Sequence, residues 1–345
     1  MDGFAVRGAE TPGTLRISVR VAAGSPAPAP LEPRSAAAIA TGGAVPEGAD
    51  TIVPVEQATT EEDGRVRIPE RARPAAHIRP RGGDVREGEV VITAGARLGP
   101  AQIGALAASG IAEVRCARRP RVAVLATGSE LRAPGDTLEP GQIFESNRPM
   151  IAAVLAASGA AVESLPVVRD DETAHRSALE RGLAADVLVS SGGVSMGPHD
   201  LVRRIAAELG VEEVFWGVAV KPGKPLSFGV RGETLVFGLP GNPVSSLVGA
   251  LVFVRPVLNA LQGAIDPGPS FQVGRTKIPL RRNHHRDEFV RARCEATEEG
   301  VVVEPVTGQE SHMIVRAASA EALVHVPRGA GEIAAGETVR YLDLA

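Results

Sequence analysis

A chain of 345 residues is long enough for two domains of roughly 150 residues each, or for three or four small ones. Its 44% hydrophobic and 23% charged residues exclude wholesale disorder, and a formal charge of −4 argues against a nucleic-acid binder, which needs a basic footprint. No signal peptide is expected, because Asp2 stands where positive charge should, and the best apolar run, 247–258, is broken by Arg255 and Pro256. A cytoplasmic protein with no membrane partner is the expectation. Cys116 and Cys294 are too few for a disulfide framework or a zinc site, so any metal should be a hard ion held by oxygens.

In chain order, the first eighty residues are rich in Gly and Pro, with short β-prone runs at 15–21, 49–55 and 64–68. A small β-rich domain is expected over 1–83. A connecting part follows at 84–118, read as a strand pair and then a helix from Pro100 to Ser109, stopped by Gly110. From Arg121 the pattern alternates. Strands are expected at 122–126, 162–168, 187–189, 214–220 and 235–237, with helices at 147–158, 172–185, 200–209 and 244–261. Unbroken Val/Leu strands between helices predict an α/β domain over 119–265, with a mostly parallel sheet covered on both faces. After the Gly/Pro-rich break at 263–270, five short β-like runs predict a barrel-like terminal domain over 266–345.

In such a sheet, ligands bind beyond the carboxyl ends of the strands. Four loops are expected there: Thr127 to Glu130, Ser190 to Asp200, Lys221 to Pro225 and Leu239 to Ser246. Gly192 and Gly193 permit φ > 0 and a close approach of backbone N–H groups to a ligand. Asn242 and Pro243 open a helix whose free N–H groups suit a phosphate. Lysine occurs three times, the other 34 of the 37 basic residues being Arg, yet Lys221 and Lys224 lie three residues apart. A chain that otherwise writes Arg places compact point charges here. Glu130 and Asp200 add carboxylates at the same edge, and Mg²⁺ takes one or two of these with phosphates and waters. The combination describes a pocket for a phosphorylated or nucleotidyl ligand with Mg²⁺.

Each motif alone has a plainer reading. A Gly-Gly loop is often only a tight turn, and Asn242-Pro243 could be a simple helix cap. An isolated carboxylate is usually solvated. Asp170-Asp171 before a helix is favoured by the dipole, and His284 and His285, among five Arg from Arg281 to Arg293, read as a solvated face.

Taken together, the motifs resemble those of the molybdopterin molybdenumtransferase family (MoeA-type, relatives of the gephyrin E domain). The matching stretches are Met-Asp-Gly-Phe-Ala-Val-Arg at 1–7, Ile-Ala-Thr-Gly-Gly at 39–43, Pro-Glu-Gly-Ala-Asp-Thr-Ile-Val-Pro at 46–54 and Arg-Pro-Arg-Val-Ala-Val-Leu-Ala-Thr-Gly-Ser-Glu-Leu at 119–131. Glu-Ser-Asn at 145–147, Ser-Gly-Gly-Val-Ser-Met-Gly at 191–197, Lys-Pro-Gly-Lys-Pro at 221–225 and Leu-Pro-Gly-Asn-Pro at 239–243 complete an ordered series.

The resemblance implies an elongated, multidomain homodimer with a molybdopterin-binding α/β domain, 84–118 being the remnant of a dimerisation domain. It implies insertion of molybdate into adenylylated molybdopterin with Mg²⁺-dependent release of AMP, and a possible adenylyltransferase partner. Asp2, Thr41, Glu130 and Asp200 match catalytic positions, with Glu130 and Asp200 assigned to the metal. Ser191, Gly192, Gly193, Ser195, Lys221, Lys224, Gly241, Asn242, Pro243, Ser245 and Arg291 are the expected substrate-binding set. Asp2 and Thr41 would come from the other subunit.

The sequence departs from the family pattern at Phe4, usually Tyr, and at Ser129, often Asp; the helical lead segment usual before this first motif is not in this sequence, and either Met1 is an internal Met taken as the start or the segment is missing. The alternative readings are an enzyme resembling molybdopterin adenylyltransferase and a non-catalytic scaffold built on the same domain.

Overall fold

The computed structural model describes residues 2–193 and 201–344. It divides into two compact units, residues 1–91 and 92–345. The first carries strands β1 (Gly3–Val6), β2 (Gly13–Val21), β3 (Ser35–Ile39), β4 (Thr51–Pro54), β5 (Thr59–Thr60) and β6 (Arg65–Ile68), in the sheet order β4-β1-β3-β2-β6-β5. Successive β1 side chains alternate between two apolar clusters: Phe4 and Val6 join Leu15, Val53 and Ile68, whereas Ala5 joins Val21, Leu31 and Ile39. That is the period of a strand with both faces covered. Phe4 is thus spent on the core.

The strand pair expected over 84–99 does not form. Residues 81–90 are all exposed, Val85 and Val90 included, and a stretch otherwise made of Arg, Glu, Gly and Asp has too little apolar surface to bury a strand pair. Helix α1 does form, at Pro100–Ala108.

The second unit continues with β7 (Arg121–Ala126), the paired short strands β8 (Leu131–Arg132) and β9 (Ile143–Phe144), α2 (Asn147–Ala157), β10 (Ala161–Ser164), α3 (Glu172–Gly182), β11 (Val187–Ser191) and α4 (Leu201–Glu208). Then come β12 (Glu212–Trp216), β13 (Val220–Lys221), β14 (Ser227–Arg231) and β15 (Thr234–Leu239). The sheet order is β10-β7-β11-β15-β14-β12. The first three pairings are parallel and the last two antiparallel. A mostly parallel core with an antiparallel edge results.

Val122, Val124, Val187, Val189, Phe237 and Leu239 pack on one face with Ile151 and Leu155 of α2, and with Ala250, Val254 and Leu258 of the helix that follows. Ala123, Leu125, Leu188 and Val236 face the other way, onto Leu179 of α3 and Val202 and Ile205 of α4. Adjacent residues of one strand thus feed opposite cores, which is why these strands read as unbroken apolar runs.

The helix after β15 runs from Pro243 to Leu261, as α5 (Pro243–Gly249), a π-helical stretch (Ala250–Val254) and α6 (Arg255–Leu261). Contrary to the sequence expectation, it is long and apolar enough to cross a membrane by length and composition, Arg255 and Pro256 notwithstanding. Its apolarity is explained by packing, since it backs the sheet on one side and the terminal barrel on another.

A second difference bears on the site. The run expected as one strand over 214–220 breaks at Gly217, whose φ is +86°. β12 stays at the sheet edge, while Val220 and Lys221 leave it to pair in parallel with a strand of the terminal domain, Lys221 opposite Glu288. That domain has seven strands rather than five: β16 (Gln272–Thr276), β17 (Leu280–Arg281), β18 (Asp287–Thr297), β19 (Gly300–Pro305), β20 (Ala322–Val326), β21 (Glu332–Ile333) and β22 (Thr338–Asp343), with the short α7 (Ile314–Ala317) between β19 and β20. Pairing of β18 with both β19 and β20 closes β18-β19-β16-β22-β20 into a barrel around Val303, Val324, Val339 and Tyr341. Val248 and Leu251 of the long helix pack with Phe289, Leu323 and Leu342 of this barrel, so barrel and α/β sheet share a seam.

Candidate functional site

The carboxyl ends of three parallel strands are level. Ala126, Ser191 and Leu239 stand side by side, and the ladder runs on one residue further, with Thr127 N donating to Ser191 O (3.1 Å) and Gly192 N to Leu239 O (3.1 Å). The three loops therefore leave from one edge. Gly192 and Gly193 have φ of +89° and +64°, and a Cβ on Gly192 would lie 2.7 Å from Thr127 O. Any side chain there would separate the loops. Ser195 and Asp200 lie outside the described residues.

Beneath this edge is a buried polar floor. Asn147, at the start of α2, donates through Nδ2 to Ser191 Oγ (2.8 Å) and to Gly241 O (2.7 Å). Ser191 Oγ is 3.2 Å from Ser246 Oγ, which donates in turn to Pro240 O. Ser191, Ser246 and Asn147 are all buried. Ser191, expected on the substrate, instead joins two loops from below, and Gly241 offers its carbonyl to Asn147. Glu145 is buried beside them, accepting from Arg148 N (2.7 Å). Asn147 Oδ1 has no hydrogen-bond partner among the described residues. Glu145 and Asn147 were visible in the sequence only as part of a motif.

Glu130 is exposed, and its carboxylate folds back over the preceding loop: a Cβ on Gly128 would lie 2.6 Å from Glu130 Oε2. It makes no side-chain hydrogen bond or ion pair among the described residues, so its oxygens are available to a cation. The plainer reading holds for the neighbouring acids. Asp170 exchanges hydrogen bonds with Ser129, and Asp171 Oδ1 accepts from Ala174 N (2.8 Å) as the cap of α3.

Lys221 and Lys224 lie on the other side of the long helix's start, in a pocket of about 380 Å³. Its walls are the lysine loop, Pro240, Asn242 and Ser245, and from the barrel Arg286, Glu288 and the loop Gln309 to Ser311. The loop does not follow a parallel strand of the α/β sheet, as the sequence suggested, but a short strand on the chain that crosses to the barrel. Lys221 Nζ pairs with Glu288 Oε1 at 2.9 Å, while Lys224 is exposed and has no ion-pair partner among the described residues. Ser245 is buried at the back of the pocket.

The helix start is only partly free. Asn242 occupies the N-cap position, but its side chain makes no capping bond; its Nδ2 donates to Ser311 Oγ (2.7 Å), and Val244 N donates to Ser311 O (3.0 Å). Pro243 brings no N–H, so the expected set of open amides is reduced. Arg291 corrects the sequence reading outright. It is 1% exposed, with its guanidinium bonded to carbonyls of 308–313, so it cannot touch a ligand in this pocket. The barrel's contribution is Arg286, hidden in an Arg-rich stretch read as solvated, together with Ser311.

In the first unit, Asp2 precedes β1, and Gly3 stands opposite Ile39 of β3, which brings Asp2 to Thr41. Asp2 Oδ1 accepts from Thr41 N (2.8 Å) and from Thr41 Oγ1 (3.0 Å). These two donors, the backbone one first, hold the carboxyl below its ordinary range and keep it ionised.

Comparison with known proteins matches three stretches of the chain. Residues 1–110 match the MoeA N-terminal region (domain I and II), 123–260 the "probable molybdopterin binding domain" and 273–344 the MoeA C-terminal region (domain IV). A molybdopterin molybdenumtransferase of Haemophilus influenzae is 36% identical over 98% of this chain and 85% of its own length. The chain belongs to the molybdopterin molybdenumtransferase (MoeA) family. Molybdopterin molybdenumtransferase 2 of Mycobacterium tuberculosis is 38% identical, covering 100% of this chain and 87% of its own. The crystal structure of a molybdopterin biosynthesis MoeA protein from Pyrococcus horikosii superposes with a TM-score of 0.75 at 31% identity, covering 99% of this chain and 86% of that one.

Proposed function

We propose that this transferase inserts molybdate into adenylylated molybdopterin, releasing AMP, and that the pocket between the lysine loop and the barrel receives the molybdate. The observation that carries the reading is the set of donors around that pocket. Lys221, Lys224 and Arg286 supply cationic charge, and Ser245 and Ser311 supply hydroxyls, around a space suited to a small tetrahedral dianion. Lys224, with no counter-charge among the described residues, is the freest of these groups to meet it. Preorganised donors of this kind also stabilise charge that develops as a phosphate leaving group departs.

The strand-edge loops are the complementary half. Gly192 and Gly193 allow the pterin phosphate to approach the backbone, and Glu130 stands exposed beside them. Mg²⁺ takes one or two carboxylates and draws most of its shell from phosphate and water. Glu130 and, by motif, Asp200 would hold it, and Mg²⁺ when bound supplies neutralisation of the phosphoanhydride charge. Asp2 and Thr41 are assigned to the same reaction by their motifs, as an ionised carboxylate whose second oxygen has no hydrogen-bond partner among the described residues. A homodimer, an adenylyltransferase as the source of the adenylylated pterin and a cytoplasmic location complete the proposal.

The test is to incubate the purified chain with adenylylated molybdopterin, Mg²⁺ and micromolar molybdate, and to follow AMP. Release that depends on molybdate supports the assignment. AMP formation indifferent to molybdate, which is plain hydrolysis of the phosphoanhydride, overturns it; turnover only when ATP and molybdopterin are supplied, with pyrophosphate released, overturns it in favour of adenylyl transfer.

A further inference from the structure

Arg291 is among the largest fully buried side chains of the protein. It projects from β18 and makes no ion pair among the described residues. Its guanidinium donates instead to the carbonyls of Gly308 (2.8 Å), Met313 (3.0 Å) and Glu310 (3.2 Å), and through Nε to Gln309 Oε1 (3.4 Å). Gln309 answers by accepting from Arg291 N (3.1 Å) and donating to Arg291 O (2.8 Å). A buried cation with no ion pair is costly unless dipoles replace its water; Glu310 is the one charge that supports it at longer range among the described residues, and the acceptors in direct contact all come from one segment, 308–313. The planar fork of arginine reaches several acceptors at fixed angles; an ammonium does not.

That segment is also the barrel wall of the molybdate pocket, where Gln309, Glu310 and Ser311 line the space and Ser311 is tied to Asn242 and Val244. In a planar trans peptide the carbonyl and the following N–H point in opposite directions. Turning the Gly308 and Glu310 carbonyls onto Arg291 therefore turns the amides of Gln309 and Ser311 away from it, and neither amide has an acceptor among the described residues.

From this arrangement we infer that Arg291 is a positioning residue for the molybdate pocket: by gathering the carbonyls of 308–313 it presents Ser311 and the adjoining amides to the anion without touching it. The inference rests on the pocket reading above. It also places a control of oxyanion affinity inside the barrel, one residue layer behind the site.

The experiment is calorimetric titration of the full chain with sodium molybdate alone, alongside steady-state AMP release. In Arg291→Lys the molybdate Kd and the molybdate KM should rise about tenfold, with kcat and the KM for adenylylated pterin near wild type. A purely structural role would lower the amount of folded protein and leave the molybdate KM of the folded fraction unchanged. Ser311→Ala should weaken molybdate binding in the wild-type background and add little in Arg291→Lys, the non-additivity expected of residues acting through one loop. Should Arg291→Lys fail to fold, Gln309→Ala, which removes part of the same clamp, decides by a smaller rise in molybdate Kd.

Unchanged molybdate affinity in Arg291→Lys, or in Gln309→Ala where that variant decides, overturns the inference, as does strict additivity with Ser311→Ala. Lys224→Ala separates the two levels. If it loses molybdate binding while Arg291→Lys does not, positioning fails and the pocket stands; if Lys224→Ala binds as wild type does, the pocket reading itself fails.

Discussion

The two halves of the site are built on opposite principles. The strand-edge half rests on a dry floor in which Asn147, Ser191 and Ser246 are buried and bonded to one another and to the carbonyls of Pro240 and Gly241. The lysine half is wet and charged: Lys221 and Lys224 are exposed, and the wall opposite comes from a separate β-barrel. A neutral network deep in the protein fixes geometry, because a lost hydrogen bond there leaves a stranded polar group. Exposed cations supply charge, at little cost to the fold when removed. Mutations in the two halves should therefore report in different observables, the lysine loop in chemistry and the floor in stability.

The largest effect is expected from Lys224→Ala. Molybdate-dependent AMP release should fall by about hundredfold or more, the scale of losing one preorganised charge-stabilising donor, with an unfolding curve close to wild type. Steady-state AMP assays and denaturant melts check both parts. Next, Asn147→Ala should destabilise the protein by about 1–3 kcal/mol, because Ser191 Oγ and Gly241 O lose their buried donor. Urea unfolding would show this, and a variant as stable as wild type would contradict the role given to the floor.

Glu288→Gln sits between the halves in character. It frees Lys221 from a pair whose side chains are 50% and 18% exposed, and removes a negative charge from the pocket wall. Molybdate should bind a few-fold more tightly, while stability changes by less than about 1 kcal/mol. Weaker binding would instead make Glu288 the group that holds Lys221 in place.

The smallest effect concerns pH. The folded pKa of Asp2 is depressed, so its bonds to Thr41 contribute fully above the ordinary value of 3.8 and are lost as pH falls through the lower folded value. NMR titration should place the Asp2 midpoint below 3.8, and Thr41→Val should move it back part of the way, since the Thr41 backbone donor remains.

Much of this was readable in the order of residues. The strands that became β7, β11 and β15 are apolar runs bounded by Gly-containing loops, because burial on both faces leaves no alternation to confuse. Gly192-Gly193 and the paired lysines were visible because each breaks the chain's own habits. The rest depended on distant contacts. Nothing local to Val220 says that it leaves the sheet for the barrel, and β14 was missed because its place between β15 and β12, antiparallel to both, is set by those neighbours.

Arg291 and Arg286 show the limit most plainly. Five residues apart in an Arg-rich stretch, one is buried as a clamp and the other lines the pocket, a distinction made only by the register of β18 against β20 and by the loop 308–313. Asn147 was legible only within the Glu-Ser-Asn motif, because the partners that give it a role lie 44 and 94 residues away.

The most direct measurement is a crystal structure of the chain soaked with tungstate, whose anomalous scattering marks the oxyanion without ambiguity. A peak between Lys224, Ser245, Arg286 and Ser311 is the predicted result. A peak only elsewhere, with that pocket holding water, would contradict the placement of molybdate at the seam of the sheet domain and the barrel.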